Sequence, residues 1–107
     1  MNVKHFTDEK VLLFEITEEI DHHSSEKIKR RVDYEIQRLY PTKIVFDFDN
    51  VFFMDSAGIG LLLGRYKTAV AYGAKIELIN VKEKIREILV MSGISKVMKV
   101  AKIREDK

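Results

Sequence analysis

A serine between an acidic residue and two small residues is the most chemically distinctive feature of this sequence. It lies in the segment Asp55-Ser56-Ala57-Gly58, which follows an apolar patch. After Ser56 the apolar residues take a helical spacing, at Ile59, Leu62, Leu63, Tyr66 and Val70. That spacing predicts a helix beginning at Ser56 with these side chains on the face that packs on the sheet. Ser56 could serve only as the N-cap of the helix. It could also accept a phosphate, because a helix N-terminus offers free N–H groups and a positive dipole end.

Two aspartates at the end of a buried strand suggest a different chemistry. Asp47 and Asp49 flank Phe48 directly after the apolar run Ile44-Val45-Phe46. Such a pair can hold Mg²⁺ and supply a carboxylate nucleophile, which makes a small Mg²⁺-dependent phosphohydrolase the alternative function. That chemistry also needs further acids at a neighbouring strand end, where this sequence has Asn80. The pattern therefore favours a polar turn at Asp49-Asn50 over a metal site.

Nucleophilic catalysis by Ser56 is not favoured either. The hydrolase elbow has the pattern G-x-S-x-G, but Met54 occupies its first glycine position here. All three histidines, His5, His22 and His23, precede the serine, whereas α/β-hydrolases place the histidine last. We therefore expect no catalytic residue, no bound metal and no cofactor.

The chain before Ser56 predicts two strands, a helix and a third strand. Residues 3–6 and 11–17 alternate and form an opening hairpin. Ser24 or Ser25 is expected to cap the first helix, which Pro41 ends. Its apolar stripe comprises Ile28, Val32, Ile36 and Leu39 or Tyr40.

The chain after the middle helix predicts a strand, a third helix and a last strand. Gly73 is expected to terminate the middle helix, and residues 75–79 form the next strand. Asn80 is expected to cap the third helix, with Glu83 as its capping-box partner. The buried stripe of that helix comprises Val81, Ile85, Ile88 and Leu89. Residues 97–103 form the last strand, and residues 104–107 form a charged, frayed tail.

The alternation of strands and helices predicts an α/β fold in a single domain spanning residues 1–107. Strands separated by helices need crossover connections, so most of them should run parallel. We expect a mixed sheet of about five strands, with an antiparallel opening hairpin and three to four helices packed against it. Within the middle helix, Gly60 and Gly64 are costly for helix formation and suggest a close approach by a neighbouring helix or by a partner protein.

Composition describes an ordinary globular protein and excludes several classes of function. The 107 residues are 46% hydrophobic and 34% charged with a net charge of +2, too small to indicate binding to nucleic acid or an anionic membrane. There is no cysteine, which excludes disulfides and thiolate metal sites. No segment has the apolar character of a signal peptide or a membrane span, so we expect a cytoplasmic protein.

Residues 53–60, F-M-D-S-A-G-I-G, together with Leu63-Gly64-Arg65-Tyr66-Lys67, resemble the anti-sigma factor antagonists, the bacterial branch of the STAS domain family. Residues 19–23, E-I-D-H-H, and Met91-Ser92-Gly93-Ile94 are similar to its sporulation members. The resemblance covers nearly the whole chain and implies the STAS fold. One departure is Ala57, where sporulation members usually carry a second serine, and this leaves stress-response relatives open.

The resemblance implies a phosphorylation switch on Ser56. In that family the anti-sigma factor is a serine kinase that the unphosphorylated antagonist binds, which releases the sigma factor. Phosphorylation by the kinase ends binding, and a PP2C-type phosphatase removes the phosphate. The partner-binding residues implied here are Asp21, His22, Asp55, Ser56, Ala57, Gly58, Ile59, Gly60 and Leu61.

Overall fold

The structure, a computed structural model, describes residues 1–102 and contains one five-stranded sheet. The strands are β1 (Asn2–Phe6), β2 (Val11–Glu15), β3 (Lys43–Asp47), β4 (Lys75–Val81) and β5 (Lys99–Lys102). The helices are α1 (His22–Leu39), α2 (Ser56–Ala71) and α3 (Glu83–Met91), followed by a 3₁₀ turn at Ile94–Lys96. The expected tail at 104–107 and the last residue of the expected final strand lie outside the described residues.

The sheet order is β1-β2-β3-β4-β5, with β1 antiparallel to β2 and the other neighbours parallel. This confirms the predicted mixed sheet with its opening hairpin. Each crossover from one parallel strand to the next runs through a helix, as parallel pairing requires. None of the helices among residues 1–102 is both long and apolar enough to cross a membrane.

One face of the sheet carries the core. Phe14 pairs in register with Phe46, and their ring centroids are 5.5 Å apart. Buried side chains of all three helices join these rings in a single apolar cluster. From α1 the cluster includes Ile28, Val32 and Ile36, as the spacing predicts.

The prediction for the buried face of the middle helix is wrong at two positions. Leu63 is 38% exposed and Val70 is 58% exposed. The buried residues of α2 are instead Gly58, Leu61, Leu62, Arg65 and Ala69. Apolar spacing alone could not reveal this face, because it depends on a glycine and an arginine.

All three helix N-caps considered from the sequence are wrong, by between one and four residues. The N-cap of α1 is Asp21, and the N-cap of α2 is Asp55. Both aspartates precede the serines that the sequence suggested. Asp21 accepts hydrogen bonds from the backbone N–H groups of His23 and Ser24 at 3.0 and 2.9 Å. Ser24 Oγ in turn accepts the Asp21 N–H at 3.1 Å, so this serine completes the capping box.

The third helix begins later than predicted because β4 continues through Asn80 to Val81. Asn80 has a left-handed backbone with φ of 57°, and its Nδ2 donates to Asp47 Oδ1 at 3.0 Å. The N-cap of α3 is Lys82, without a side-chain capping bond. Val81 is buried as part of the strand, whereas Ile88, which was predicted to be buried, is 39% exposed.

Candidate functional site

Ser56 is the first residue of α2, and its side chain is exposed. The preceding residue, Asp55, has an extended backbone, and its Oδ1 accepts the Ala57 N–H at 2.8 Å. The Asp55 carbonyl also accepts the Gly58 N–H at 2.9 Å. Since Asp55 satisfies two of the orphan donors of the helix, the Ser56 hydroxyl is not needed as a cap. It is therefore available for chemistry with another molecule.

A short backbone bridge joins the starts of α1 and α2. The Ile20 N–H donates to the Phe53 carbonyl, and the Asp55 N–H donates to the Ile20 carbonyl, both at 3.1 Å. The parallel bridge between Ile20 and Met54 thus fixes the segment before α1 against the loop before Ser56. Asp21 follows Ile20 directly, so the two predicted motifs lie side by side.

The carboxylate of Asp21 gives this edge a stable negative charge. Hydrogen bonds from the backbone N–H groups of Ser24 and His23 hold the pKa of Asp21 below its ordinary value of 3.8. Asp21 is therefore ionised at neutral pH. His22 follows it and is exposed. Asp55 supplies a second carboxylate directly before Ser56.

Gly58 permits α2 to pack against this bridge. A Cβ atom on Gly58 would overlap Met54 Cγ, lie 2.6 Å from Met54 Sδ and lie 3.2 Å from Ile20 Cγ2. Any larger residue would have to displace the Met54 side chain or the start of α2, which carries Ser56. Gly58 is therefore buried inside the domain, where it sets the position of Ser56.

The nine residues predicted to bind a partner differ in their exposure. His22, Ser56 and Gly60 are exposed. Four are partly buried, namely Asp21, Asp55, Ala57 and Ile59. Gly58 and Leu61 are buried, and the Leu61 side chain is only 6% exposed. Partner binding by this set stays a prediction, in which the two buried residues would support the surface from below.

A narrow groove of about 210 Å³ between α1 and α2 opens beside Ser56. Its lining residues are Ser25, Glu26, Lys29, Ala57, Gly60, Leu61, Gly64 and Arg65. A Cβ atom on Gly60 or Gly64 would meet nothing within 4 Å. The packing of the neighbouring helix therefore does not require these glycines, and a close approach by a partner protein stays a prediction.

Arg65, one of the residues that line this groove, forms an ion pair with the partly exposed Asp33. Arg65 is 5% exposed, and its Nε lies 2.9 Å from Asp33 Oδ1 on α1. The two atoms are close, but they are not aligned as a hydrogen bond. The pair links α2 to α1 and explains why a charged residue lies on the buried face of α2.

Sequence reasoning missed an exposed aromatic pair in the loop before Ser56. Phe52 and Phe53 are 73% and 49% exposed. The Nζ of Lys82 lies 4.2 Å from the centroid of the Phe52 ring and also donates to the Phe48 carbonyl at 3.4 Å. The signal that could have revealed this exposure was the position of both residues in the loop directly before Ser56, outside any predicted strand or helix.

Asp47 and Asp49, the residues of the alternative metal site, have structural contacts. Asp47 Oδ1 accepts the Asp49 N–H and the Asn80 side-chain amide, both at 3.0 Å. Lys82 Nζ donates to the Asp49 carbonyl. Among residues 1–102, no three or more histidine, aspartate or glutamate side chains are grouped so that they could hold a metal ion.

Known proteins similar to this chain include anti-sigma factor antagonists. The chain is 37% identical over 90 residues to the anti-sigma F factor antagonist of Paenibacillus polymyxa, covering 84% of this chain and 77% of that protein. It is 33% identical over 76 residues to the anti-sigma F factor antagonist of Lysinibacillus sphaericus, covering 71% of this chain and 65% of that protein.

Solved structures show the same fold. The anti-sigma factor antagonist SpoIIAA in its unphosphorylated form superposes with a TM-score of 0.80 at 29% identity, covering 94% of this chain and 86% of that one. Bacillus SpoIIAA in the phosphorylated form gives a TM-score of 0.72 at 29% identity, with coverages of 94% and 89%. The model of the STAS domain matches residues 3–106. The chain belongs to the STAS domain family.

Proposed function

We propose that this protein is an anti-sigma factor antagonist controlled by phosphorylation of Ser56. In this proposal the unphosphorylated form binds an anti-sigma factor that is a serine kinase, and the bound kinase releases its sigma factor. The observation that carries the proposal is that Ser56 is exposed at the start of α2. Its hydroxyl is not used as the helix cap, because Asp55 fills that role. The anti-sigma F factor antagonists among its relatives support the assignment.

The kinase would dock on the surface formed by the two helix starts. We call this the Ser56 surface, and it comprises Asp21, His22, Ser56, Ala57 and Gly60. The backbone bridge at Ile20 makes it a pre-formed surface, so little ordering is needed when a partner binds. Gly60 would let a partner approach the α2 backbone, since nothing occupies the space beside it.

Phosphorylation would switch binding off by electrostatics. A phosphate adds about −1.5 to −2 charge at neutral pH and here would lie beside the Asp55 carboxylate. Docking would then have to desolvate a charge that lacks a partner, which costs several kcal/mol. Each 1.4 kcal/mol reduces affinity by about tenfold, so even part of this cost would release a micromolar partner. No large conformational change is required.

A PP2C-type phosphatase would restore the binding form by removing the phosphate. The exposure of Ser56 suits access by both enzymes. The cycle proposed here takes place in the cytoplasm, and it needs neither a cofactor on this chain nor contact with nucleic acid or a membrane.

Intact-mass measurement after incubation with the cognate kinase and ATP tests this proposal. We expect a gain of one phosphate in the wild-type chain and none in Ser56→Ala. Ser25→Ala is the matched control, because Ser25 lines the adjacent groove and should leave phosphorylation unchanged. A phosphate that persists in Ser56→Ala would contradict the assignment of the acceptor.

A further inference from the structure

A cleft lies at the end of the sheet where β3, β4 and β5 begin. It has a volume of about 590 Å³, within the range of about 300–1,000 Å³ that is usual for small-molecule sites. The last turns of α2, the start of β4 and the segment before β5 surround it. Its lining residues are Thr42, Lys43, Tyr66, Val70, Ala74, Lys75, Ile76, Glu77, Val97, Met98 and Lys99.

The pairing of the strands explains why the cleft is open. β5 starts with Lys99 opposite Glu77, whereas β4 already starts at Lys75. The first two residues of β4, Lys75 and Ile76, therefore have no partner on β5. Beside these two residues the sheet lacks its fifth strand, and the cleft occupies the position that β5 would fill.

The interior of the cleft is apolar. Ala74, Ile76 and Met98 are buried at its base. Val70 and Val97 are 58% and 41% exposed at its sides. These two valines leave apolar surface in contact with water that an apolar ligand would cover.

The mouth of the cleft is positively charged. Three lysines lie around one glutamate: Glu77 pairs with Lys43 at 2.8 Å and with Lys99 at 3.6 Å. The hydrogen bond from Lys43 lowers the pKa of Glu77, so its charge persists at neutral pH. Lys75 forms no ion pair with any of residues 1–102. An occupant that complements this mouth carries an anionic group.

We propose that this cleft binds a small amphipathic carboxylate, with the apolar body against Val70, Ile76 and Val97 and the carboxylate facing Lys75. The site is independent of the phosphorylation switch. Val70 lies fourteen residues after Ser56 on the same helix, about 21 Å away at 1.5 Å per residue.

Titration of the ¹⁵N-labelled full chain with decanoate, followed by amide chemical shifts, tests the proposal. We expect saturable shifts at the last turns of α2, the start of β4 and residues 97–99, with little change around Ser56. Decanol should bind about fivefold more weakly, and decyltrimethylammonium more weakly still, because both lack the negative charge. Shifts spread over the whole chain, or equal binding of all three probes, would overturn the proposal.

Two cleft variants, Val70→Glu and Lys75→Gln, separate the apolar and the charged contributions to decanoate binding. Val70→Glu should weaken decanoate binding by about tenfold or more, since it places a carboxylate beside the apolar body of the ligand. Val90→Glu is the matched control: Val90 is 44% exposed on α3, outside the cleft, and should bind as the wild type does. Lys75→Gln should weaken decanoate but leave decanol unchanged. Wild-type decanoate affinity in both cleft variants would refute the site.

Discussion

Two glycines two residues apart on α2 have opposite roles. Gly58 is buried against Met54 and Ile20, so it is required by the packing of the protein itself. Gly60 is exposed, with no atom near the position of its missing Cβ. The first glycine therefore positions Ser56, and the second leaves space for a partner under the proposed function. Spacing alone does not distinguish them.

Alanine substitutions should separate these roles. Gly58→Ala should lower the free energy of unfolding by about 1–3 kcal/mol, because the added methyl group overlaps the Met54 side chain. Gly60→Ala should raise it by about 0.5–1 kcal/mol, since it removes a helix-interior glycine without a clash. Urea unfolding measures both changes. A loss of stability in Gly60→Ala would show that the space beside it is not open.

The two long helices are joined at two levels. At their starts, the Ile20–Met54 bridge connects the segments that lead into α1 and α2. Further along, the Arg65–Asp33 ion pair connects the helices themselves. Together these contacts hold the Ser56 surface to one geometry.

Removing Asp33 should destabilise the protein more than removing Arg65. Asp33→Asn leaves the Arg65 guanidinium buried without its counter-charge, which should cost about 2–3 kcal/mol, less than a fully buried pair because Asp33 is partly exposed. Arg65→Met removes the buried charge itself and should cost less. Denaturant unfolding of both single variants and the double variant checks this order. Equal costs that add in the double variant would mean that the two side chains do not interact.

Buried and paired carboxylates make the stability of the whole molecule depend on pH. Burial would raise the pKa of Glu35, but hydrogen bonds from Arg38 and Arg31 outweigh it and hold that pKa below its ordinary value of 4.5. The pKa of Glu77 is also lowered, and the largest cause is its hydrogen bond from Lys43. A carboxylate with a lowered folded-state pKa stabilises the protein above the unfolded value, and this stabilisation is lost as the pH falls.

Acidification should therefore unfold the protein through these groups. Between about pH 5 and pH 3 the free energy of unfolding should fall, and Glu35→Gln should show a smaller fall than the wild type. Thermal unfolding followed by circular dichroism at each pH measures the difference. Glu87→Gln is the control, because Glu87 is exposed and forms no ion pair among the described residues. An unchanged slope in Glu35→Gln would contradict the contribution assigned to its arginine partners.

The order of elements was predictable from the sequence because strand alternation, helical spacing and breakers act locally. The N-caps were less predictable, since Asp21 and Ser24 can each cap a helix and their reciprocal bonds decide which does. The buried face of α2 was not predictable, because Arg65 is buried only through Asp33, a residue on another helix.

At the candidate site, the sequence predicted a role for Ser56 and its neighbours, which stays a prediction, but it did not predict the exposure of Phe52 or the burial of Leu61. Both depend on the direction in which the loop enters α2. The cleft beside the start of β4 depends on where β5 begins relative to β4, and no local sequence pattern predicts that register.

The affinity of the anti-sigma kinase for this protein with and without phosphate on Ser56 is the most direct measurement of the central claim. The chain should be phosphorylated to completion, separated from the enzyme, and titrated by calorimetry against the kinase without ATP. We predict binding at least about tenfold weaker than that of the unphosphorylated chain, and a similar loss in Ser56→Asp. Equal affinities of the phosphorylated and unphosphorylated chains would contradict the proposed switch.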